Sequence, residues 1–418
     1  MTSLALCAVV LALAGDSVIA KPVQRATSSH ISLPFARRMN TTGIPNLLAV
    51  DQARAKALKN RSSSKGTKTS ARSPLAPAIN VPADNQVVDY VATVLVGNPP
   101  TEFFLLIDTG SSNTWVGATT PFTVTSTTVD TGNEVEVIYG SGFFFGEEVT
   151  DQVQLANGLT ITNQSIGVAE LAFGFDGVDG ILGIGPVDLT VDTLFPDDTD
   201  TVPTVIDNAF AQGLIDERLI GISFEPTDTI EALNGELTFG GINTNKFTGE
   251  MTFVPITSTA PASEFVGIDQ TVTYGAAGTP ILATTAGITD TGTTLLLLAT
   301  DAIEAYQTAT GAVLDDTVGL LRLTPDQFAS LESLFFQIGD TTFEFTPNAQ
   351  IFPRALNTAI GGTDDFVYLI AADLGSPSGE GFDFVDGMTF LERFYYVFDS
   401  ANSQVGFATT EFTDSTIN

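Results

Sequence analysis

Beyond Val87 the apolar residues of this chain fall in short runs, many alternating with polar ones, and the runs are closed by Gly, Asn or Asp. A period of two with that punctuation predicts strands joined by hairpins. The first strand is expected over residues 87–96, a turn at Gly97-Asn98-Pro99-Pro100, and a second strand from Glu102 into Asp108. Val, Ile, Thr and Phe dominate the remainder of the chain, so the body reads as all-β. Three short helices interrupt it. Thr204 is placed to cap residues 205–212 ahead of Gly213, and Thr300 to cap a helix ending near Thr308. Thr324 opens the third, with Pro325 in its first turn and Gln327 completing a capping box.

Upstream of residue 80 the pattern differs. Residues 45–58 are rich in helix formers and predict a short basic helix, whereas 61–77 mix Ser, Lys and Pro without an apolar period, as in a loop open to proteolysis. At the start, an apolar run from Leu4 to Ala14 leads through small residues to Ala20. This is the pattern of a secretory signal peptide, although the usual basic residues before the run are missing, and it is shorter than the roughly 20 residues of a membrane span. The sole cysteine, Cys7, lies inside it, so a processed protein would carry neither thiol nor disulfide. A chain of 418 residues allows two or three domains, with enough core to do without staples. Asn40, Asn60 and Asn163 begin glycosylation sequons, a pattern common by chance.

Charge divides the chain sharply. Between Lys21 and Asn80 eleven Lys and Arg stand against a single acid, Asp51, while from Val81 onward there are five basic residues and 47 acids. A basic arm can serve nucleic-acid binding. Directly behind a signal peptide and ahead of an acidic body, it is read instead as a removable propeptide that neutralises that body.

The candidate chemistry is an internal repeat. Asp-Thr-Gly occurs as Asp108-Thr109-Gly110 and again as Asp290-Thr291-Gly292, each behind an apolar strand-like run and ahead of another. Alone, such a triplet is most often an ordinary turn. Two of them can bring two carboxylates together, one holding a proton while the other is ionised, as the attack of water on an amide requires.

Around these triplets the chain resembles the pepsin-like aspartic proteases, from about Val87 to Phe407. The first loop, Ile107-Asp108-Thr109-Gly110-Ser111-Ser112-Asn113-Thr114-Trp115-Val116, is similar to the family's first catalytic motif, and Thr289-Asp290-Thr291-Gly292-Thr293-Thr294 to its second. Val137-Ile138-Tyr139-Gly140-Ser141-Gly142 resembles the flap that closes over substrate. Asp179-Gly180-Ile181-Leu182-Gly183, Gly235-Glu236-Leu237-Thr238-Phe239, Tyr396-Val397-Phe398-Asp399 and Val405-Gly406-Phe407 match further motifs in the family's order. The absence of cysteine from the body is closest to secreted fungal members.

The resemblance implies a bilobal, pseudo-symmetric all-β fold with a central cleft. The expected division is 1–20 signal peptide, 21–79 propeptide, 80–255 lobe with Asp108 and the flap, and 256–418 lobe with Asp290. It implies a secreted, extracellular, monomeric endopeptidase, with a vacuolar location the alternative, made as a zymogen and acting on polypeptides in acid. No metal, cofactor, nucleic acid or membrane anchor is called for.

Asp108 and Asp290 are expected to share one proton and hold one water, an arrangement of two carboxylates for which this family's own dyad is the standard example. Gly110 and Gly292 let the backbone turn and donate amides to the carboxylates; Ser111 and Thr293 bond their outer oxygens. Thr109 and Thr291, by resemblance, cross-link the loops. Tyr139 would cover the peptide with Trp115 as its hydrogen-bond partner, while Gly140, Ser141 and Thr294 bind its backbone; for Trp115 and Tyr139 the plain alternative is buried core. The run Phe143-Phe144-Phe145 agrees with the family's preference for bulky apolar residues. A propeptide lysine, Lys56 or Lys59, would meet the acid pair.

One motif departs from the family: Asp386 precedes Gly387 where an apolar residue is usual, either as a third carboxylate near the pair or turned into a polar network. A catalytically silent binding relative and a two-carboxylate glycosidase are the rival readings; neither accounts for both the intact loops and the flap. With its lone His30 in the leader, zinc hydrolysis is set aside.

Overall fold

The computed structural model describes residues 30–39, 46–64, 88–140, 142–156 and 158–418. The expected signal segment, most of the loop after the basic helix, and the flap residue Ser141 lie outside them. Within them the all-β prediction holds, in one sheet of 14 strands, one of seven and one of three. The first expected hairpin is present as Val88–Val96 and Thr101–Asp108.

The sequence repeat is a repeat of structure. Strand Thr101–Asp108 runs parallel to Gly180–Gly183 with Asp108 opposite Gly183, and Trp115–Val116 pairs with the same strand antiparallel. In the second half Thr279–Asp290 runs parallel to Phe384–Gly387 with Asp290 opposite Gly387, and Leu296–Leu298 is the antiparallel neighbour. In each copy the aspartate therefore leaves a buried strand at one fixed height beside a glycine. Those glycines are there for space: a Cβ at Gly183 would lie 2.6 Å from the Asn113 carbonyl oxygen, and one at Gly387 2.2 Å from that of Leu295.

The halves are joined by strands, not by a linker alone. Leu219–Ser223 pairs with Phe394–Asp399, which also pairs with Gln404–Thr409, so the C-terminal strands complete the sheet that carries the first lobe. Into that sheet the leader contributes strand Ile31–Met39, antiparallel to both Glu231–Phe239 and Val88–Val96. Leu33, Phe35 and Arg37 point to the buried face while Pro34 is exposed. Arg37 donates to the Thr227 carbonyl at 2.8 Å and lies 3.4 Å from buried Glu392.

Helix boundaries differ in places from expectation. The basic helix runs over Leu47–Ser64, beyond the expected end at Leu58 and into the segment read as loop. Thr204 caps Val205–Ala211 in a capping box with Asp207, and Thr324 caps Pro325–Phe328 with Gln327. Thr300 does not cap: it is the first residue of Thr300–Thr310, behind Ala299, and its hydroxyl donates instead to Asp373 at 2.7 Å. Helix Met388–Leu391, directly after Gly387, has no counterpart in the sequence reading.

Gly387→Ala is expected to cost about 1–3 kcal/mol, because its methyl would press on backbone that has no rotamer to yield. Thermal denaturation should show a Tm lowered by several degrees, and an unchanged Tm would remove this account of the glycine.

Candidate active site

The two Asp-Thr-Gly loops meet tip to tip, and the meeting is reciprocal. The Thr109 amide donates to the Thr291 hydroxyl at 3.0 Å, and the Thr291 amide donates to the Thr109 hydroxyl at 3.0 Å. The Thr291 hydroxyl also donates to the Ile107 carbonyl at 3.0 Å, while that of Thr109 reaches the Thr289 carbonyl at 3.5 Å. Both side chains are thereby fixed without any solvent.

This cross-link sets the carboxylates face to face. Ser111 donates to Asp108 Oδ2 at 2.6 Å, and Thr293 to Asp290 Oδ2 at 2.6 Å. The Gly110 amide donates to Asp108 Oδ1 at 2.9 Å and that of Gly292 to Asp290 Oδ1 at 3.1 Å. These are the amide bonds expected of the two glycines, and the glycines serve close approach, not a left-handed turn, because neither residue has a positive φ. A Cβ on Gly110 would come within 2.7 Å of Asp290 Oδ1, and one on Gly292 within 2.7 Å of Asp108 Oδ1. Each glycine makes room for the acid of the opposite lobe.

Between the two inner oxygens lies Arg54, from helix Leu47–Ser64. Its Nη2 is 2.5 Å from Asp108 Oδ1 and 3.0 Å from Asp290 Oδ1, and its Nε is 2.7 Å from Asp290 Oδ2. The expected lysines do other work: Lys56 is exposed, and Lys59 reaches Ser376 at 3.1 Å and Glu380 on the rim. A planar fork serves two facing carboxylates better than a point charge, which explains the arginine. Burial pushes Asp108 above the ordinary carboxylate value, with Arg54 only partly opposing it. Burial also pushes Asp290 upward, but there the charge and hydrogen bond of Arg54, with Thr293 and Gly292, prevail and hold it below. The arginine itself is locked in its charged form by the two acids.

The same helix fills the cleft. Asp51 accepts the amides of Thr294 at 3.3 Å and Leu295 at 2.8 Å, and burial raises it to about 7. Gln52 donates to the Asp373 carbonyl at 2.7 Å, and Arg61 to that of Leu189. At the flap a Cβ on Gly140 would sit 2.4 Å from the Ala53 carbonyl oxygen, so flap and helix are in direct contact. The Trp115 indole donates to the Tyr139 hydroxyl at 3.0 Å. Both are buried, with Phe144 stacked on Trp115 at 4.3 Å and Phe175 edge-on, so the core and the tethering readings hold together. Phe143 and Phe145 lie on the other side of their strand from Phe144.

The site's geometry agrees with what comparison finds. The family model for eukaryotic aspartyl proteases matches residues 89–410. Polyporopepsin of Irpex lacteus is 59% identical over 339 residues, which is 81% of this chain and 99% of that protein. Rhizopuspepsin-1 of Rhizopus niveus is 31% identical over 394 residues, 90% of this chain and 92% of that one. The crystal structure of the aspartic proteinase from Irpex lacteus superposes with a TM-score of 0.79 at 50% identity, covering 93% of this chain and 100% of that one.

Asp386 turns away from the acid pair into a polar contact behind the second loop. It is fully buried, accepts the Gln270 amide at 3.0 Å on Oδ1, and leaves both its own Oδ2 and the Gln270 carbonyl oxygen without partners. A proton on Asp386 supplies the donor this pair of acceptors lacks, and burial raises the group to about 8. Its folded value lies above its unfolded one, so the stability it contributes is full below about pH 4 and is lost as pH rises toward 8. Asp386→Asn is therefore expected to raise Tm by several degrees at pH 7–8, to leave it nearly unchanged at pH 3, and so to flatten the pH–stability curve. An equal effect at both pH values would contradict a neutral Asp386.

Proposed function

Because the chain belongs to the eukaryotic aspartyl protease family and is an aspartic endopeptidase, we propose that Asp108 and Asp290 perform its hydrolysis and that residues 21–79 hold it as a zymogen. The observation that carries both parts is Arg54 Nη2, a single nitrogen in contact with both inner carboxylate oxygens. A position from which one nitrogen reaches both oxygens is one from which one water does so once the helix has left.

With one proton on the pair, the ionised carboxylate takes a proton from that water as its oxygen bonds to the scissile carbonyl carbon. The protonated carboxyl gives its proton to the carbonyl oxygen, so a neutral gem-diol forms and no charge is stranded in a buried site. Collapse re-forms the carbonyl, breaks the C–N bond and passes a proton to the leaving nitrogen. Tyr139, held by Trp115, covers the substrate; Gly140 and Ser141 from the flap and Thr294 from the opposite wall bind its backbone as an added strand. The Thr294 amide is engaged by Asp51 in the closed form and is released from that carboxylate once the helix is displaced. Side chains flanking the cut bond are bulky and apolar in this reading, and the enzyme is secreted and monomeric after loss of a signal peptide at 1–20.

Acid opens the zymogen. Arg54 holds Asp290 below its ordinary value, so the docking strength of this contact is present at neutral pH and is lost as pH falls through that lowered value. Asp51 works in the opposite sense, since docking lifts it to about 7 and is favoured as pH falls from there. The helix is consequently retained through mild acid and released only when the pair itself protonates.

Acid-treated protein should cleave unfolded globin at pH 3 and not at pH 7, lose that activity to a statine-type mimic, and show a new N-terminus near residue 80. Asp290→Asn is expected to reduce kcat at least about a thousandfold with an unchanged Tm. Retained activity in that variant would refute the pair mechanism.

Arg54→Met removes both ion pairs while keeping a long side chain. Loss of a buried pair of roughly 3 kcal/mol predicts about a hundredfold more open form near pH 6, measured as globin cleavage by freshly diluted unprocessed protein. Unchanged latency would show that the helix is held elsewhere.

A further inference from the structure

The flap sheet is apolar on both faces, and only one of them is used by the fold. Its inward side chains Val135, Val137 and Phe144 are buried in the cluster around Trp115 and Tyr139. The outward ones are given by the register. Ile138, Phe143 and Phe173 form one row across three strands, and Glu136, Phe145 and Leu171 the next. A third row runs from Phe195 on the edge strand through Glu134 to Glu147. Ile138 is 66% exposed, Phe195 64%, Leu171 52% and Phe173 42%, and Phe143 stacks on Phe173 at 6.3 Å. A solvated sheet face alternates to polar at these positions.

We propose that this outer face is a docking surface for an unfolded polypeptide segment in which apolar residues are interspersed with Lys or Arg, so that protein substrates are held outside the cleft as well as in it. The proposal rests on the peptidase reading above. Three features point to such an occupant. With strands about 4.8 Å apart and rows about 7 Å apart, the patch spans about 15 Å each way, the reach of an extended segment of five or six residues. Glu134, Glu136 and Glu147 run through the apolar rows, and the two cations of residues 80–255, Arg218 and Lys246, pair instead with Asp207 and Glu225, so a cationic partner must come from outside this lobe. Finally, the surface lies on the back of the same strands whose turn carries Tyr139 and Gly140, so a chain bound there is tethered beside the mouth of the cleft.

The test uses the processed enzyme at about pH 5, acid enough for the peptidase yet above the pH at which glutamates ordinarily protonate, and two substrates, unfolded globin and a chromogenic octapeptide that fills only the cleft. In the double variant Leu171→Ser/Phe173→Ser and in Phe195→Ser, KM for globin is expected to rise about fivefold or more, with kcat for globin and both constants for the octapeptide unchanged. On the unmodified enzyme a non-cleavable peptide alternating Leu and Lys should inhibit globin cleavage and leave octapeptide cleavage untouched, a measurement that stands even if a variant fails to fold. An unchanged globin KM, equal losses on both substrates, or a sedimenting dimer that the substitutions dissociate would each overturn the proposal, the last by making a second copy the occupant. Failure of the unmodified enzyme to cleave either substrate would instead strike the peptidase reading.

Discussion

Two carboxylates withdrawn from water and sharing one cation set the conditions that the surrounding structure has to meet. Burial alone would drive both acids to their neutral forms, and two neutral acids could not activate water. Each is therefore given an inner amide and an outer hydroxyl from its own loop, which favour the ionised form, while the opposite acid and the dry surroundings favour the proton. The balance depends on separation. That separation is fixed by the threonine cross-link and by glycines whose missing side chains are the space the opposite acid occupies.

The leader satisfies the same conditions by other means. Its helix brings a guanidinium that replaces solvent between the acids, and its strand fills a place in the large sheet between Glu231–Phe239 and Val88–Val96. Both insertions bury an arginine against an acid, Arg54 on the pair and Arg37 beside Glu392. Only the contact with Asp290 carries a carboxylate held below its ordinary value, so that contact weakens as pH falls, whereas burial raises Glu392 and its site is not loosened by acid. In the proposed zymogen the contact of Arg54 with the acid pair is therefore the one that both holds the helix at neutral pH and gives way in acid.

Most of this was legible in the sequence because it is local. The repeated triplets, the alternating strands, and the caps at Thr204 and Thr324 are set by neighbours a few residues apart, and they are present as read. What escaped was tertiary. Thr300 has every local qualification of a cap, but Asp373, 73 residues away, offers its hydroxyl a charged acceptor. The strand Ile31–Met39 exists because two strands leave a gap for it, though the alternation of Ile31, Leu33 and Phe35 was a usable signal. Composition shows charge but not shape, so it does not distinguish Arg54 from the neighbouring lysines as the partner of the acid pair. Its spacing of three from Asp51, the lone acid of the leader, would have placed both on one helix face.

The acidic composition and the buried acids both favour the fold in acid, the condition under which the proposed function operates. Glu148 and Asp386 are both buried without a Lys or Arg partner among the described residues, and burial raises each to about 8. Each contributes fully below its unfolded value and loses that contribution as pH rises through its folded one, so both favour the fold in acid. The net charge of the body acts in the same direction, since its 47 acids against five bases repel one another once ionised. Toward neutral pH the body is strained from inside and outside together, and eleven basic residues in the leader offset the outer part. The charge asymmetry along the chain then has a second physical consequence besides blocking the cleft: the leader is a counterion for a body whose composition suits it to acid.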